Sequence, residues 1–159
     1  MNNPESIIKM LENAPGVIVP LVREVPAEVL KRRPRVEKWS AHEHACHLMV
    51  VQPMFLSRLK LILNDPEPCI TPYNPSVDEE EGALLNMDLN DALERFTRER
   101  AELVEELRDL TDDDWERTAA HPEYAHYSVF IMFRHLALHD MLHSYRIEEL
   151  LLKKDWAAE

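Results

Sequence analysis

The chain has 159 residues, of which 45% are apolar and 30% are charged, and its formal net charge is −12. This length is enough for one hydrophobic core and short for two, so we predict a single domain over residues 1–159. The acidic excess disfavours binding to nucleic acid or to an anionic membrane, since both need a cationic surface. Because the chain has only two glycines, tight hairpin turns are rare, and we expect an all-α fold without substantial sheet.

The cysteines and the chain start indicate the compartment. Cys46 and Cys69 form no CxxC pair, and the N-terminal residues do not resemble a signal peptide. No apolar stretch of about 18 residues is expected to span a membrane. We therefore predict a cytoplasmic protein with reduced thiols and no membrane partner.

Helical periodicity predicts two long helices in the first half of the chain. The first runs from about Pro4 to Arg23, and Pro15-Gly16 is expected to kink or split it. A short helical turn follows at Pro26 to Leu30. The second long helix begins at a capping box of Ser40 and Glu43, after Trp39, and runs to about Leu63.

The second half of the chain predicts two more long helices. The proline-rich stretch from Asn64 to Asp78, which leads into an acidic run, is expected to be a surface loop that lines or covers a site. The third helix runs from Asp88 or Asn90 to Leu110, with Glu and Arg outward. A short capped turn starts at Thr111, and Ser128 caps a last helix that reaches about Lys154. Four long helices with unequal connections predict a bundle.

Three histidines have a spacing that allows two helices to hold one transition-metal ion. His139 and His143 lie four residues apart, one turn along the apolar face of the last helix. His47 lies in an equivalent stripe of the second long helix. Three ligands from two helices leave a coordination position open for water or substrate. The alternative interpretation is three core histidines with satisfied hydrogen bonds.

Other histidines compete for the third ligand position. His135 continues the same ladder, but three ligands on one helix span about 12 Å, too far for one ion. A ligand from another helix is therefore required. His44, one turn before His47, is expected either beside the ligands or in the core, and His135 is likewise a candidate for a position beside the ligands. His121 and His126 fall in a predicted loop and are expected to be surface residues.

Two motifs taken together resemble a known family. The stretch Trp39-Ser40-x-x-Glu43-x-x-x-His47-Leu48, followed far downstream by His139-Asp-x-x-His143-x-x-x-Ile147, resembles the DinB-like family, also called the YfiT/DinB metalloenzyme superfamily. The resemblance extends over most of the chain. It implies a four-helix bundle of up-down-down-up topology, commonly dimeric, with a divalent metal, zinc or nickel, on three histidines. These positions map onto His47, His139 and His143.

The resemblance also implies an activity. Family members include thiol S-transferases that use a low-molecular-weight thiol, and hydrolases. An ion on three histidines lowers the pKa of bound water or thiol, so we expect an enzyme acting on a small molecule through metal-bound hydroxide or thiolate. The alternative is a non-catalytic, stress-associated homodimeric bundle whose metal site is structural or vestigial.

Neighbouring residues have candidate roles around this site. Glu43 and Asp140 are candidate hydrogen-bond acceptors that would orient the ligand imidazoles, although capping explains Glu43 and a solvated face explains Asp140 equally well. Tyr145 and Arg146 are candidate substrate contacts. Cys46 points away from His47 around the helix and is expected to be a small buried hydrophobe.

Overall fold

The computed structural model describes residues 3–74, 80 and 82–153. The helices in this part of the chain are α1 (Pro4–Glu24), α2 (Ala27–Leu30), α3 (Ala41–Asn64), α4 (Ala83–Asn86), α5 (Leu89–Arg108), α6 (Asp112–Glu116) and α7 (Val129–Leu151). Among the described residues no strand forms, and only isolated bridges join Cys69 to Ala120 and Thr118 to Ser128. The all-α prediction is confirmed. The predicted acidic run, apart from Glu80, and Lys154 lie outside the described residues.

The helix starts follow the capping signals of the sequence. Ser40 and Glu43 form the predicted reciprocal capping box at the start of α3. The side chains of Asp88, Thr111 and Ser128 likewise accept hydrogen bonds from backbone N–H groups in the first turns of α5, α6 and α7. Helix α5 ends at Arg108 and α7 at Leu151, in each case slightly before the expected end.

Helix α1 differs from the prediction because it is not split at Pro15-Gly16. It runs from Pro4 to Glu24 with both Pro15 and Pro20 inside it. An internal proline removes one backbone hydrogen bond and crowds the preceding turn. The apolar face of α1 is buried against α5 and α7 on both sides of the prolines, and this tertiary packing outweighs the local cost.

Contacts along α3 show in which directions α5 and α7 run relative to it. Gln52 bonds to the Phe96 carbonyl and Lys60 pairs with Glu106, so α3 and α5 run in the same direction. The rings of His47 and His143 are 4.9 Å apart and those of Phe55 and Phe133 are 6.4 Å apart. Because the residue numbers rise along α3 while they fall along α7, these two helices are antiparallel.

Helix α1 completes the bundle. Its first half shares an apolar cluster with the first half of α7, and its second half shares another cluster with the second half of α7, so the two helices are parallel. Helix α1 packs on α5 and α7, while α1 and α3 lie at opposite corners. The order of directions is therefore up-down-down-up, as the family resemblance implies.

A layer of polar side chains separates the two apolar clusters of the core. Arg100, which the sequence pattern placed on an outward face, is 1% exposed. Its guanidinium donates to Gln52, to the Leu11 carbonyl and to both carboxylate oxygens of Asp140. A buried arginine is tolerated because these acceptors replace water. This network connects all four long helices, α1, α3, α5 and α7, at one level of the bundle.

Helix α3 has the length and composition of a membrane-spanning helix, although it is not at the N-terminus. An 18-residue window within Ala41–Asn64 reaches a mean hydropathy of 1.3, and the helix is long enough to cross a bilayer. Half of that window is buried inside the bundle. The core helix of a bundle reaches this composition because its wide buried face is apolar.

Candidate metal centre

Three histidine side chains from two helices converge at one point in the bundle. The Nε2 atom of His139 lies 3.2 Å from Nε2 of His47 and 3.1 Å from Nε2 of His143. One nitrogen of each ring lies within 4.8 Å of the others. His47 and His143 are buried and His139 is partly exposed. The structure thus brings together the three residues that spacing singled out.

Local structure at the start of α3 places His47. The capping box fixes the first turn, and Arg33 donates to the Glu43 carboxylate from outside the helix. The Trp39 ring, just before the cap, lies 5.5 Å from the ring of His44 and 4.7 Å from that of His47. This is the position of a hydrophobic staple, which sets the angle at which the chain enters a helix.

Burial keeps the three imidazoles neutral. Burial, together with the neighbouring histidines, lowers the pKa of His47 to about 3, that of His139 to about 4 and that of His143 to about 2. A neutral imidazole carries one ring proton and one nitrogen lone pair. At neutral pH each ring therefore has a lone pair to offer to a metal ion.

The nitrogen cluster fits a divalent metal ion. The Nε2 atom of His139 approaches Nε2 of both His47 and His143. Because each ring nitrogen of a neutral imidazole holds either one proton or one lone pair, hydrogen bonds satisfy this pair of contacts at His139 poorly. The Nδ1 atom of His139 is buried with no hydrogen-bond partner among the described residues. Three imidazoles with one open position are a common ligand set for zinc in enzymes, and nickel also accepts imidazole.

His44 contacts one of the three rings directly. Its Nδ1 atom lies 2.8 Å from Nδ1 of His143, on the side of that ring away from the cluster. Burial lowers the pKa of His44 to about 4, so this ring is also neutral at pH 7. His44 is therefore placed to orient His143, which is one of the two roles that the sequence left open.

The two carboxylates proposed as imidazole acceptors bind other groups. Asp140 is directed at Arg100, with Arg100 Nη1 2.5 Å from Asp140 Oδ2. Glu43 accepts hydrogen bonds from Ser40 and Arg33, which hold its pKa below the usual value although burial would raise it. Since a ligand-orienting carboxylate must reach an imidazole N–H, these contacts favour the capping role of Glu43 and a structural role for Asp140.

A cavity of about 370 Å³ opens beside the three histidines. His47, His139 and His143 form part of its wall, and Trp39 and Tyr73 adjoin them. Pro72 and Tyr73 come from the proline-rich loop, so the described part of that loop lines the cavity as predicted. Pockets of this size accept small molecules.

Several cavity-lining residues were missed by the sequence interpretation. His121 lines the cavity rather than lying on the open surface, and its ring is 4.7 Å from that of Tyr127. Arg58, Tyr124 and Tyr127 line it as well. Arg58 lies within α3, on the same helical face as His47, and both tyrosines lie in the loop before α7, where no helical period applies. His135 is exposed yet lines the same cavity.

The remaining candidates lie away from the cluster. Tyr145 is 61% exposed, and Arg146 pairs with Glu149 and lines a separate cavity on the far side of Trp39. His126 is exposed. Cys46 is fully buried, and burial raises the pKa of its thiol to about 12, which fits the predicted role of a small hydrophobe.

The chain is similar to one protein family over most of its length, including all three clustered histidines. The family model of the DinB superfamily matches residues 10–145. The chain belongs to the DinB superfamily. This confirms the family resemblance seen in the Trp39 and His139 motifs.

Two similar proteins have descriptions that concern function. One, from Oceanobacillus iheyensis, is named "Putative metal-dependent hydrolase", and it is 30% identical over 152 residues, covering 94% of this chain and 86% of the relative. The solved structure of YfiT from Bacillus subtilis is described as a probable metal-dependent hydrolase with an unusual four-helix bundle topology. It matches with a TM-score of 0.83 and 22% identity, over 94% of this chain and 86% of YfiT. At that identity the match to YfiT establishes the fold.

Proposed function

We propose that this DinB-superfamily chain is a metal-dependent hydrolase that holds one divalent ion on His47, His139 and His143. The observation that carries the proposal is the convergence of three neutral Nε2 atoms on the wall of a cavity that admits a small molecule. A purely structural zinc site is normally closed by four protein ligands. Three ligands beside a cavity are instead the arrangement of a catalytic site.

The residues of the chain have distinct tasks in this proposal. When bound, a divalent ion at three imidazoles acts as a Lewis acid that lowers the pKa of a coordinated water molecule or thiol. His47 and His143, both buried, hold their lone pairs toward a common point, and Trp39 shields their rings from solvent on one side. The cavity then positions the substrate next to that point.

Hydrolysis is the reaction best supported, because the two similar proteins described above carry the descriptions "Putative metal-dependent hydrolase" and "probable metal-dependent hydrolase". Transfer of a low-molecular-weight thiol uses the same Lewis-acid activation and is the alternative that an activity screen must include. The homodimer, the cytoplasmic location and the identity of the ion, zinc or nickel, stay predictions.

Metal content measured by mass spectrometry on protein purified without an affinity tag tests the proposal. We expect about one zinc or nickel ion per chain in the wild type, as one ion on the three-histidine site requires. His47→Ala and His143→Ala are expected to lose the ion while keeping their helicity. His126→Ala, which removes an exposed histidine outside the cluster, is the matched control and is expected to retain it.

Two results would contradict the proposal. The first is wild-type protein that stays folded, contains no divalent ion and takes up neither zinc nor nickel when these are offered. The second is metal-loaded protein whose bound ion does not exchange with free metal ions in solution. In this result its ester, amide and thiol-transfer activities would also all equal those of His47→Ala. That second result would favour the non-catalytic bundle with a structural metal.

A further inference from the structure

The cavity beside the histidine cluster is elongated along α3. Its α3 wall consists of residues on one helical face, and it extends from His47 at one end to Arg58 at the other. At 1.5 Å per residue, the backbones of these two positions are about 16 Å apart. On α7, His139 and His135 follow the same direction, with His139 at the cluster and His135 one turn away from it.

Arg58 places a fixed positive charge at the end of the cavity remote from the cluster. Its Nη2 atom donates to the Thr71 carbonyl at 2.7 Å, and its guanidinium lies 5.8 Å from the centre of the Phe55 ring. Among the described residues, no carboxylate forms an ion pair with it. A guanidinium has five N–H donors. Because one of them bonds to the Thr71 carbonyl and the Tyr127 phenol lies beside another, the remaining donors are available to bind a ligand.

The walls between the two ends are largely aromatic. The Tyr73 ring stacks near His47 at 6.1 Å, and the rings of Tyr124 and Tyr127 stack on each other at 5.9 Å. Tyr127 is buried next to Arg58, and burial raises the pKa of its phenol, which is therefore uncharged at neutral pH. Flat aromatic walls favour a ligand with an apolar or aromatic body.

We propose that the substrate is an elongated anionic small molecule whose carboxylate binds Arg58 while its reacting group lies at the three histidines. This inference rests on the proposed function for the reacting end and on the Arg58 geometry for the other end. Arginine matches a carboxylate with two parallel hydrogen bonds and remains charged at all physiological pH values. The cavity therefore selects carboxylates over neutral analogues of the same shape.

The charge around the cavity makes Arg58 decisive for this selection. The chain as a whole carries a net charge of −12, which disfavours anions near its surface. Glu123 also lines the cavity, but its side chain is exposed, so solvent screens its repulsion. A half-buried guanidinium is screened less and acts at hydrogen-bonding distance.

Calorimetric titration of the full-length protein tests the anion site independently of any metal. The probes are phenylbutyrate and its neutral analogue phenylbutyramide, added to chelator-treated protein so that a carboxylate cannot bind a metal ion. We expect wild type to prefer the carboxylate, and Arg58→Gln to weaken carboxylate binding about tenfold or more while amide binding changes little, as removal of a charge-assisted pair requires. Arg58→Lys is expected to recover part of the preference.

Arg134→Gln is the matched control for this titration. Arg134 lies over the Phe130 ring at 5.7 Å, much as Arg58 lies over Phe55, but it does not line the cavity. It is expected to bind both probes like wild type. Equal binding of acid and amide by wild type, or equal weakening of both by Arg58→Gln in protein of unchanged helicity, would overturn the proposal.

A second titration links the two ends of the cavity. Cobalt-loaded protein is titrated with ω-mercaptoalkanoates of increasing chain length and with the matching amides, and the visible absorption of the cobalt–thiolate bond reports binding. We expect one chain length at which the acid binds more tightly than the amide, and loss of this advantage in Arg58→Gln. Failure of cobalt to bind counts against the proposed metal function alone, because the first titration has already decided the role of Arg58.

Discussion

The Nδ1 atoms of His44 and His143 lie 2.8 Å apart, within hydrogen-bonding distance, while Nε2 of His143 faces the other two histidines. For Nε2 of His143 to bind an ion, its Nδ1 must carry the ring proton. The acceptor of that proton is then Nδ1 of His44. A hydrogen bond of this kind fixes both the tautomer and the orientation of a metal-binding imidazole.

Removal of this acceptor is expected to weaken metal binding. His44→Phe keeps a ring against Trp39 but has no nitrogen to receive the His143 proton. We predict a zinc affinity about 10–100-fold lower than that of wild type, the usual effect of losing such a partner. Competition with a chromophoric chelator measures the two dissociation constants directly.

His135→Phe is the control for that experiment. His135 lies one turn from His139 and lines the same cavity, but it forms no hydrogen bond with the three-histidine cluster. Its removal is expected to leave zinc affinity nearly unchanged. If His44→Phe binds zinc as tightly as His135→Phe does, His44 has no part in orienting His143.

The histidine cluster could be predicted because its information is periodic. His139 and His143 are related by one helical turn, and His47 belongs to a buried stripe of another helix, so spacing alone constrains which atoms can meet. The capping box at Ser40 even fixes where that second helix begins. Patterns of this kind are local in the sequence. They predict the structure correctly here because the tertiary contacts favour the same arrangement.

The role of Arg100 and the lining of the cavity could not be predicted in this way. An arginine within a helix rich in Glu and Arg is normally solvated, and nothing nearby in sequence identifies Asp140 and Gln52 as its partners. Arg58 and Tyr127 meet because α3 and the loop before α7 are brought together by the bundle topology. Such contacts depend on the tertiary fold, and a single sequence does not encode them as a pattern.

The buried ion pair between Arg100 and Asp140 leads to a prediction about stability. Arg100→Met leaves the Asp140 carboxylate buried without its partner, so we expect a loss of about 3–5 kcal/mol in the free energy of unfolding. The double variant Arg100→Met/Asp140→Leu removes both charges and is expected to lose less than Arg100→Met alone. Urea denaturation followed by circular dichroism measures both.

An exposed ion pair provides the comparison. Arg108 and Glu12 also approach within 2.6 Å, but both side chains are exposed. Arg108→Met is expected to shift the urea midpoint very little, since solvent already screens this pair. Equal losses in the free energy of unfolding for Arg100→Met and Arg108→Met would show that burial of an ion pair does not make its disruption more destabilising.

The capping box predicts how the start of α3 contributes to stability. Ser40→Ala removes the hydroxyl that accepts from the Glu43 backbone N–H at 3.2 Å. We expect a loss of about 1 kcal/mol in the free energy of unfolding, as is usual for an N-cap residue. Ser57→Ala, at an exposed position in the middle of the same helix, is the control and is expected to be neutral or slightly stabilising.

The lowered histidine pKa values predict how stability depends on pH in metal-free protein. His44, His47, His139 and His143 have folded-state pKa values of about 4, 3, 4 and 2, all below the ordinary value of 6.5. Below pH 6.5 the unfolded chain therefore binds protons that the folded chain does not. The contribution of these histidines to the free energy of unfolding is fully present above pH 6.5. It is lost as the pH drops toward 4, at a limiting rate of about 1.4 kcal/mol per pH unit for each histidine.

Urea midpoints of chelator-treated protein between pH 7.5 and pH 4.5 measure this dependence, with about half-unit steps resolving the slope. A His139→Gln/His143→Gln variant has two fewer titrating groups in the cluster and is expected to lose stability less steeply over the same range. Because carboxylates also titrate toward the acid end, the difference in slope between the two proteins isolates the histidine contribution. Identical slopes would mean that the folded protein protonates these rings as readily as the unfolded chain does, and that burial does not hold them neutral.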